Sequence, residues 1–197
     1  QWNSVATRLP WVACLLPGSQ LMQPAALPHT GVIVVDHLDE TCVAFMARGG
    51  RALFIAPGSA AGSPALLPRG KGEPTYRSVP FNMGQYGNMG TVIRTHSALG
   101  ELPHDGWCDI CFAPLLHGAY PFAMRPFGDG RLDPIIRSIG HMASMENKAY
   151  LFAISVGKGI LLACSMKLAE NADRDPLAHY LVRHMAAWLN GTRRQPS

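Results

Sequence analysis

The stretch GVIVVDHLDETCVAFMARGGRALFIAP, residues 31–57, decides the fold of this chain. Its β-branched run at 32–36 is typical of a strand that is buried on both faces. Apolar side chains then recur at helical spacing over 38–48, and two glycines end that helix. A second apolar run at 51–57 completes a strand–helix–strand unit with short connections, which predicts two parallel strands in one sheet.

The last third of the chain predicts the closing elements of the same domain. Two apolar runs, 149–156 and 160–166, are separated by a Gly-Lys-Gly turn, so they predict a β-hairpin. Asp175 is then a good N-cap and Pro176 fits the first helical position. Apolar side chains recur at helical spacing until Gly191 stops the helix. We therefore expect a terminal hairpin followed by a closing helix.

Shorter runs between these two ends predict further strands. Residues 11–16, 90–95 and 134–140 each fit a strand. Residues 58–87 are rich in Gly, Pro, Ser and polar side chains and predict a long surface excursion, and 96–131 predicts irregular structure. All 197 residues together predict a single α/β domain. We expect a three-layer α/β/α sandwich with a mainly parallel sheet, a C-terminal β-hairpin and a closing helix.

The composition is that of a globular protein with a large core, since 48% of the residues are hydrophobic and 15% are charged. The net charge of +4 is scattered along the chain without a basic stripe, which argues against nucleic acid as a partner. No apolar run reaches the roughly 18 residues of a membrane span, and nothing resembles a signal peptide. The first residue is Gln1 instead of Met, which indicates a processed chain or a piece of a larger protein, and we favour the piece.

Cysteine spacing and glycine-rich patches indicate neither a metal nor a cofactor. The five cysteines are odd in number and mostly lie inside apolar runs, which favours small buried side chains over a disulfide framework. Cys108 and Cys111 have the spacing of a zinc or redox pair, but no second pair of ligands completes a zinc site. The glycines at 70–72 and 84–90 fit neither a phosphate loop nor the dinucleotide fingerprint.

Candidate ligand-binding residues follow from the predicted architecture. Parallel sheets bind ligands beyond the carboxyl ends of their strands, which puts Asp36, His37 and Ser59 where a site would form. Asp36 is equally suited to cap the following helix, and we favour that interpretation. Trp107 and Tyr120 are candidates for stacking on sugars, although aromatic residues in a Pro-rich segment more often belong to a local core. We predict no catalytic residue, because Ser59 lacks the flanking glycines of a nucleophile elbow.

The order of motifs along the chain resembles one known domain. Residues 31–57, GNMGT at 87–91, HSAL at 96–99 and VGKGILLACS at 156–165 resemble the non-catalytic C-terminal domain of bacterial family-two, β-galactosidase-like glycoside hydrolases. That domain is similar to the class I glutamine amidotransferase or flavodoxin-like fold. The resemblance implies this fold, a role in carbohydrate metabolism and a periplasmic or secreted bacterial parent enzyme.

One departure from the related enzymes bears on catalysis. Amidotransferases of this fold use a cysteine on an elbow, and no Gly-x-Cys-x-Gly sequence occurs here. The catalytic glutamates of family-two hydrolases lie on a separate barrel. The resemblance therefore implies an accessory domain that positions the barrel, contributes to a homo-oligomer interface or contacts carbohydrate, with the other domains of the hydrolase as partners. Two alternatives stay open: a small hydrolase or amidotransferase-like enzyme using Ser59 or a cysteine, and a carbohydrate-binding module.

Overall fold

The chain folds into a mixed α/β domain built on one sheet. A computed structural model describes residues 5–22, 31–57, 90–124, 132–139 and 147–191. The strands are β1 (Val5–Thr7), β2 (Gln20–Leu21), β3 (Val32–Val35), β4 (Arg51–Ile55), β5 (Thr91–Ile93), β6 (Phe122–Ala123), β7 (Leu132–Ile139), β8 (Asn147–Val156) and β9 (Gly159–Cys164). The helices are α1 (Pro10–Leu15), α2 (Glu40–Ala47), α3 (Ala113–Leu116) and α4 (Pro176–Gly191), with 3-10 turns at Ser97–Leu99, Ile110–Phe112 and Ala169–Asn171.

The strand order of the described sheet is β2-β1-β3-β4-β9-β8-β7-β5, and β6 pairs with β8. The pairs from β2 through β1, β3 and β4 to β9 are all parallel. From β9 onward the sheet continues as an antiparallel meander through β8 and β7 to β5. The parallel part follows the order 2-1-3-4-5 of flavodoxin-like sheets, with β9 in the fifth position.

Helices cover both faces of the sheet, which makes the domain a three-layer sandwich. Strand β3 shows why its sequence is apolar throughout: Val32 and Val34 lie in the core under α1 and α4, whereas Ile33 and Val35 lie in the core under α2. A strand between two layers has no face left for polar side chains. The predicted α/β/α sandwich is confirmed. Among the described helices, none combines the length and hydropathy that a membrane crossing requires.

The turn between β8 and β9 rests directly on the C-terminal end of α2. Lys158 N donates a hydrogen bond to the carbonyl oxygen of Ala47 over 3.2 Å. A Cβ atom added at Gly159 would overlap the carbonyl oxygens of Met46 and Gly50. Only glycine leaves enough room for this approach of two backbones. The contact joins the strand–helix–strand unit at 31–57 to the C-terminal hairpin.

Most predicted elements are confirmed. The strands predicted at 32–36, 51–57, 90–95 and 134–140 correspond to β3, β4, β5 and β7, and the hairpin corresponds to β8 and β9. The helix predicted at 38–48 is α2, and the closing helix is α4. Asp175 caps α4 as expected, because its Oδ1 accepts a hydrogen bond from Leu177 N over 2.8 Å. The excursion predicted at 58–87 lies outside the described residues.

The strand predicted at 11–16 is wrong, since these residues belong to helix α1. A short apolar run fits a strand and a buried helical turn equally well. Pro10 occupies the first helical position, where its fixed φ suits a helix and its missing N–H is not needed. The segment 96–131 is irregular in its described part, as predicted, with 3-10 turns, the short helix α3 and the two-residue strand β6.

Gly159, at the contact between the hairpin turn and the end of α2, gives a stability prediction. We expect Gly159→Ala to lower the free energy of unfolding by about 2–3 kcal/mol, because the new methyl group must push two backbones apart. Gly191→Ala is the matched control, since nothing lies within 4 Å of a Cβ atom at that helical position. Urea unfolding followed by circular dichroism measures both. Equal urea midpoints for Gly159→Ala and wild type would contradict the close approach described above.

Candidate functional site

Charged residues gather at the point where the connections of the sheet change direction. From β1 the chain runs through α1 to β2, and from β3 it runs through α2 to β4 on the other side. The gap between the carboxyl ends of β1 and β3 is therefore the topological switch point, where open α/β sheets bind ligands. Arg8 directly follows β1, and Asp36 and His37 directly follow β3. We call Arg8, Asp36, His37 and Asp39 the switch-point cluster.

A chain of hydrogen bonds links three members of the switch-point cluster. Arg8 Nη1 lies 2.8 Å from His37 Nε2, and His37 Nδ1 lies 2.7 Å from Asp36 Oδ1. A guanidinium group can only donate, so His37 Nε2 accepts from Arg8. The ring proton is consequently on Nδ1 and is donated to the carboxylate of Asp36. Both nitrogens of His37 are therefore engaged in hydrogen bonds.

Asp39 completes the cluster and caps α2. Its Oδ1 accepts a hydrogen bond from Cys42 N over 2.7 Å, and its Oδ2 lies 3.9 Å from Arg8 Nη1. The hydrogen bond from Cys42 N is the main cause that holds the pKa of Asp39 below its usual value, and the charge of Arg8 acts in the same direction. The predicted cap, Asp36, is wrong: α2 begins later than expected, and the side chain of Asp36 bonds to His37 instead.

The thiol beside this cluster keeps its proton. Burial raises the pKa of Cys42 to about 11, and the thiolate is the reactive form of cysteine. Burial also raises the pKa of Cys108. The prediction of buried cysteines is correct for these two and for Cys164, but it is wrong for Cys14 and Cys111, which are exposed. Both exposed thiols lie in segments whose apolar runs form helical turns instead of buried strands.

The other predicted site residues lie elsewhere. Trp107 pairs with the outer side of β5, and β4, β9, β8 and β7 lie between β5 and β3. Tyr120 comes just before β6, which pairs with β8. Ser59 lies outside the described residues. Of the four predicted site residues that the structure describes, only Asp36 and His37 lie together, and ligand binding by any of the five stays a prediction.

Sequence reasoning missed Arg8 and Asp39. Asp39 had a usable signal, because an aspartate directly before a glutamate at the start of an apolar helical pattern is typical of an N-cap. Arg8 had none, since β1 has only three residues and its contact with His37 spans 29 positions in sequence.

A groove of about 470 Å³ runs along α4. It is lined by Pro176, His179, Tyr180, Arg183, His184 and Ala187. The rings of Tyr180 and His184 lie 4.1 Å apart between centroids at an interplanar angle of 31°. Within the part of the chain that the structure describes, no group of three or more His, Cys, Asp or Glu side chains is arranged to hold a metal ion.

Comparison with known proteins places the chain in a family. A family model described as "Domain of unknown function (DUF8487)" matches residues 33–197. The chain belongs to this family. No curated protein matches this DUF8487 domain. Among solved structures, the exo-beta-1,4-mannosidase Op5Man5 from Opitutaceae bacterium strain TAV5 is similar, with 13% sequence identity and a TM-score of 0.45 over 94% of this chain.

The chain spans 35% of the length of that mannosidase chain. A likeness of this size carries no argument about the activity of the DUF8487 domain. The resemblance to family-two hydrolases stays a prediction.

Substitutions at Asp39 separate its capping role from its charge. We expect Asp39→Ala to lower the free energy of unfolding by about 1 kcal/mol, because it removes the acceptor for Cys42 N. Asp39→Asn keeps an acceptor and loses only the charge. The folded state lowers the pKa of Asp39, so the negative charge of Asp39 stabilises the fold at pH values above its ordinary pKa of 3.8. This electrostatic stabilisation is lost as the pH falls through the pKa that Asp39 has in the folded state.

Urea unfolding at neutral pH and at about pH 3 measures this difference. Asp39→Asn should be less stable than wild type at neutral pH and closer to it in acid. A deficit of equal size at both pH values would show that the charge of Asp39 does not stabilise the fold.

Thiol labelling tests the protonation of Cys42. We expect iodoacetamide to modify Cys14 and Cys111 first, because they are exposed. The pKa of Cys42 is raised from its ordinary value of 9.0 to about 11. At neutral pH the fraction of Cys42 that is thiolate is therefore about a hundredfold smaller than that of an ordinary cysteine. Mass spectrometry of timed digests measures the rates, and labelling in urea gives the unfolded reference. Stoichiometric labelling of Cys42 ahead of Cys14 in the folded chain would instead indicate an activated thiol.

Proposed function

We propose that this DUF8487 domain is a non-catalytic accessory domain of a larger glycoside hydrolase. The observation that carries the proposal is the state of the groups at the switch point. Both nitrogens of His37 are occupied, by Arg8 and Asp36, and Cys42 retains its proton. A general base needs a lone pair that faces the proton it removes, whereas the lone pair of His37 Nε2 faces Arg8, and a nucleophilic cysteine needs a thiolate. These side chains are bonded to one another instead.

The residues that carry the hydrolase resemblance also support the proposal. The motif at 31–57 forms β3, α2 and β4, and the motif at 156–165 forms the hairpin turn and β9. These two motifs meet where Lys158 N bonds to the carbonyl oxygen of Ala47. Their glycines allow close backbone contact and their apolar residues fill the two cores. The residues of these two motifs therefore have structural roles.

In the proposed role the domain positions the catalytic barrel, contributes to an oligomer interface or contacts carbohydrate, and its partners are the other domains of the hydrolase. Among the described residues, the groove along α4 is the surface that we would test first for carbohydrate contact. It combines the ring faces of Tyr180 and His184 with the hydrogen-bond donors of Arg183.

An activity assay on the chain alone tests the non-catalytic part of the proposal. We expect the chain to release nitrophenol from 4-nitrophenyl β-galactoside, β-mannoside and β-glucoside no faster than buffer does, because the lone pair of His37 Nε2 accepts a hydrogen bond from Arg8. The Asp36→Asn and His37→Gln variants are the controls for trace contamination. Hydrolysis by a contaminating enzyme would be the same in wild type and in both variants. Hydrolysis by wild type that either substitution abolishes would overturn the proposal and make the switch-point cluster a catalytic site.

The coding region on both sides of the 197 residues tests the accessory part. We expect it to encode, in the same reading frame, a barrel domain with two glutamates at strand ends. A reading frame that contains no such catalytic domain would contradict the accessory role.

A further inference from the structure

His96 accepts a hydrogen bond that only a neutral imidazole can accept. Ala98 N donates to His96 Nδ1 over 3.0 Å, so that His96 caps the 3-10 turn at Ser97–Leu99. A backbone N–H can only donate, so Nδ1 carries a lone pair and the ring proton is on Nε2. Nε2 lies 3.3 Å from Asp133 Oδ2. A doubly protonated ring has no lone pair and loses the bond to Ala98.

His104 repeats this arrangement at the other end of the same loop. Gly106 N donates to His104 Nδ1 over 3.1 Å. Gly106 has a φ of 86°, a conformation that glycine adopts readily. The carbonyl oxygen of Gly106 accepts a hydrogen bond from Ile93 N over 3.0 Å. The second cap therefore holds the chain against β5.

The segment at 96–108, which we call the edge cover, shields the last strand of the sheet. Strand β5 ends the strand order and pairs with β7 on its inner side. On its outer side, Val92 pairs with Trp107, and Cys108 N donates to the carbonyl oxygen of Thr91 over 3.0 Å. Uncovered edge strands present backbone groups that pair with other chains. The edge cover occupies those groups.

The surroundings of His96 favour its neutral form. Its side chain is only 12% exposed, and the ring of Trp188 on α4 lies 5.2 Å from its own between centroids. Burial lowers the pKa of His96 and the charge of Arg94 acts in the same direction, whereas Asp133 on β7 raises it. Arg94 and Asp133 are themselves ion-paired.

Helix α4 also contributes a titratable group near the cover. The ring of His184 lies against Gly100, at the end of the 3-10 turn, where an added Cβ atom would overlap it. The turn itself places Ala98 and Leu99 in the core beneath α4. His104 lies beside Asp105 in the chain.

We propose that His96 is an acid-sensitive latch on the edge cover: protonation of its Nδ1 atom breaks the hydrogen bond from Ala98 N and releases the cover from β5 and α4. Because the closed form selects a neutral His96, opening becomes easier as the pH falls below the ordinary value of 6.5. Each pKa unit between the closed and open forms changes their ratio by about tenfold. Opening uncovers the backbone edge of β5 together with Ala98 and Leu99.

Amide hydrogen exchange tests the latch. Protection factors, corrected for the intrinsic exchange rate, are compared at about pH 7.5 and about pH 5.5, on either side of the ordinary histidine value. We expect the amides of Ala98, Gly106, Ile93 and Cys108 to lose about tenfold or more of their protection in acid. The amides of β3 and β4 should keep theirs, because the latch opens one edge of the sheet only.

The variant His96→Asn is the matched control. The Oδ1 atom of asparagine occupies the place of Nδ1, accepts the same backbone hydrogen bond and does not titrate. Its edge cover should be equally protected at both pH values. If the hydrogen-exchange protection of the wild-type edge cover were unchanged in acid, that result alone would overturn the latch. Equal losses in variant and wild type, or a loss that extends to β3 and β4, would overturn it as well.

Discussion

The fold depends on the close approach between the turn of the terminal hairpin and the end of α2. Lys158 N bonds to the carbonyl oxygen of Ala47, and Gly159 lies where any larger residue would overlap the backbone of Met46 and Gly50. Because this contact sets β9 beside β4, the parallel sheet continues beyond the first strand–helix–strand unit. Strand β8 pairs with β9 through the hairpin, and α4 closes the face opposite α2. Two stretches that are far apart in sequence thus form the centre of the domain.

Three of the described histidines accept hydrogen bonds: His37 from the side chain of Arg8, and His96 and His104 from backbone amides two residues onward. His37 accepts from Arg8, whose side chain is only 11% exposed and needs partners for its charge. His96 and His104 accept from backbone amides. In each case the donor assigns the ring proton, because guanidinium and amide groups have no lone pair to offer. The same physical rule underlies both the proposed non-catalytic state of His37 and the proposed acid sensitivity of the edge cover.

Sequence reasoning succeeded where the signal is local and failed where two structures share one signal. The β-branched run at 32–35 and the capped, periodic helix at 176–191 each admit one interpretation, and both are confirmed. The apolar run at 11–16 fits a strand or a helical turn, and Pro10 decides for the helix. Half of the switch-point cluster was predicted, since Asp36 and His37 follow a recognisable strand. Arg8 was not, because its contact with His37 depends on the pairing of β1 with β3.

The amino-acid sequence by itself determined the class of the domain, most of its strands, its two principal helices and the hairpin, because hydrophobic period, capping residues and turn glycines act over a few neighbouring positions. The tertiary structure alone decided the strand order, the edge on which the charges meet and the contact of Arg8 with His37. These depend on distances between residues that are remote in the chain, and such distances exist only once β9 lies beside β4 and β1 beside β3. The state of a titratable ring follows from its neighbours in space, which no local pattern specifies.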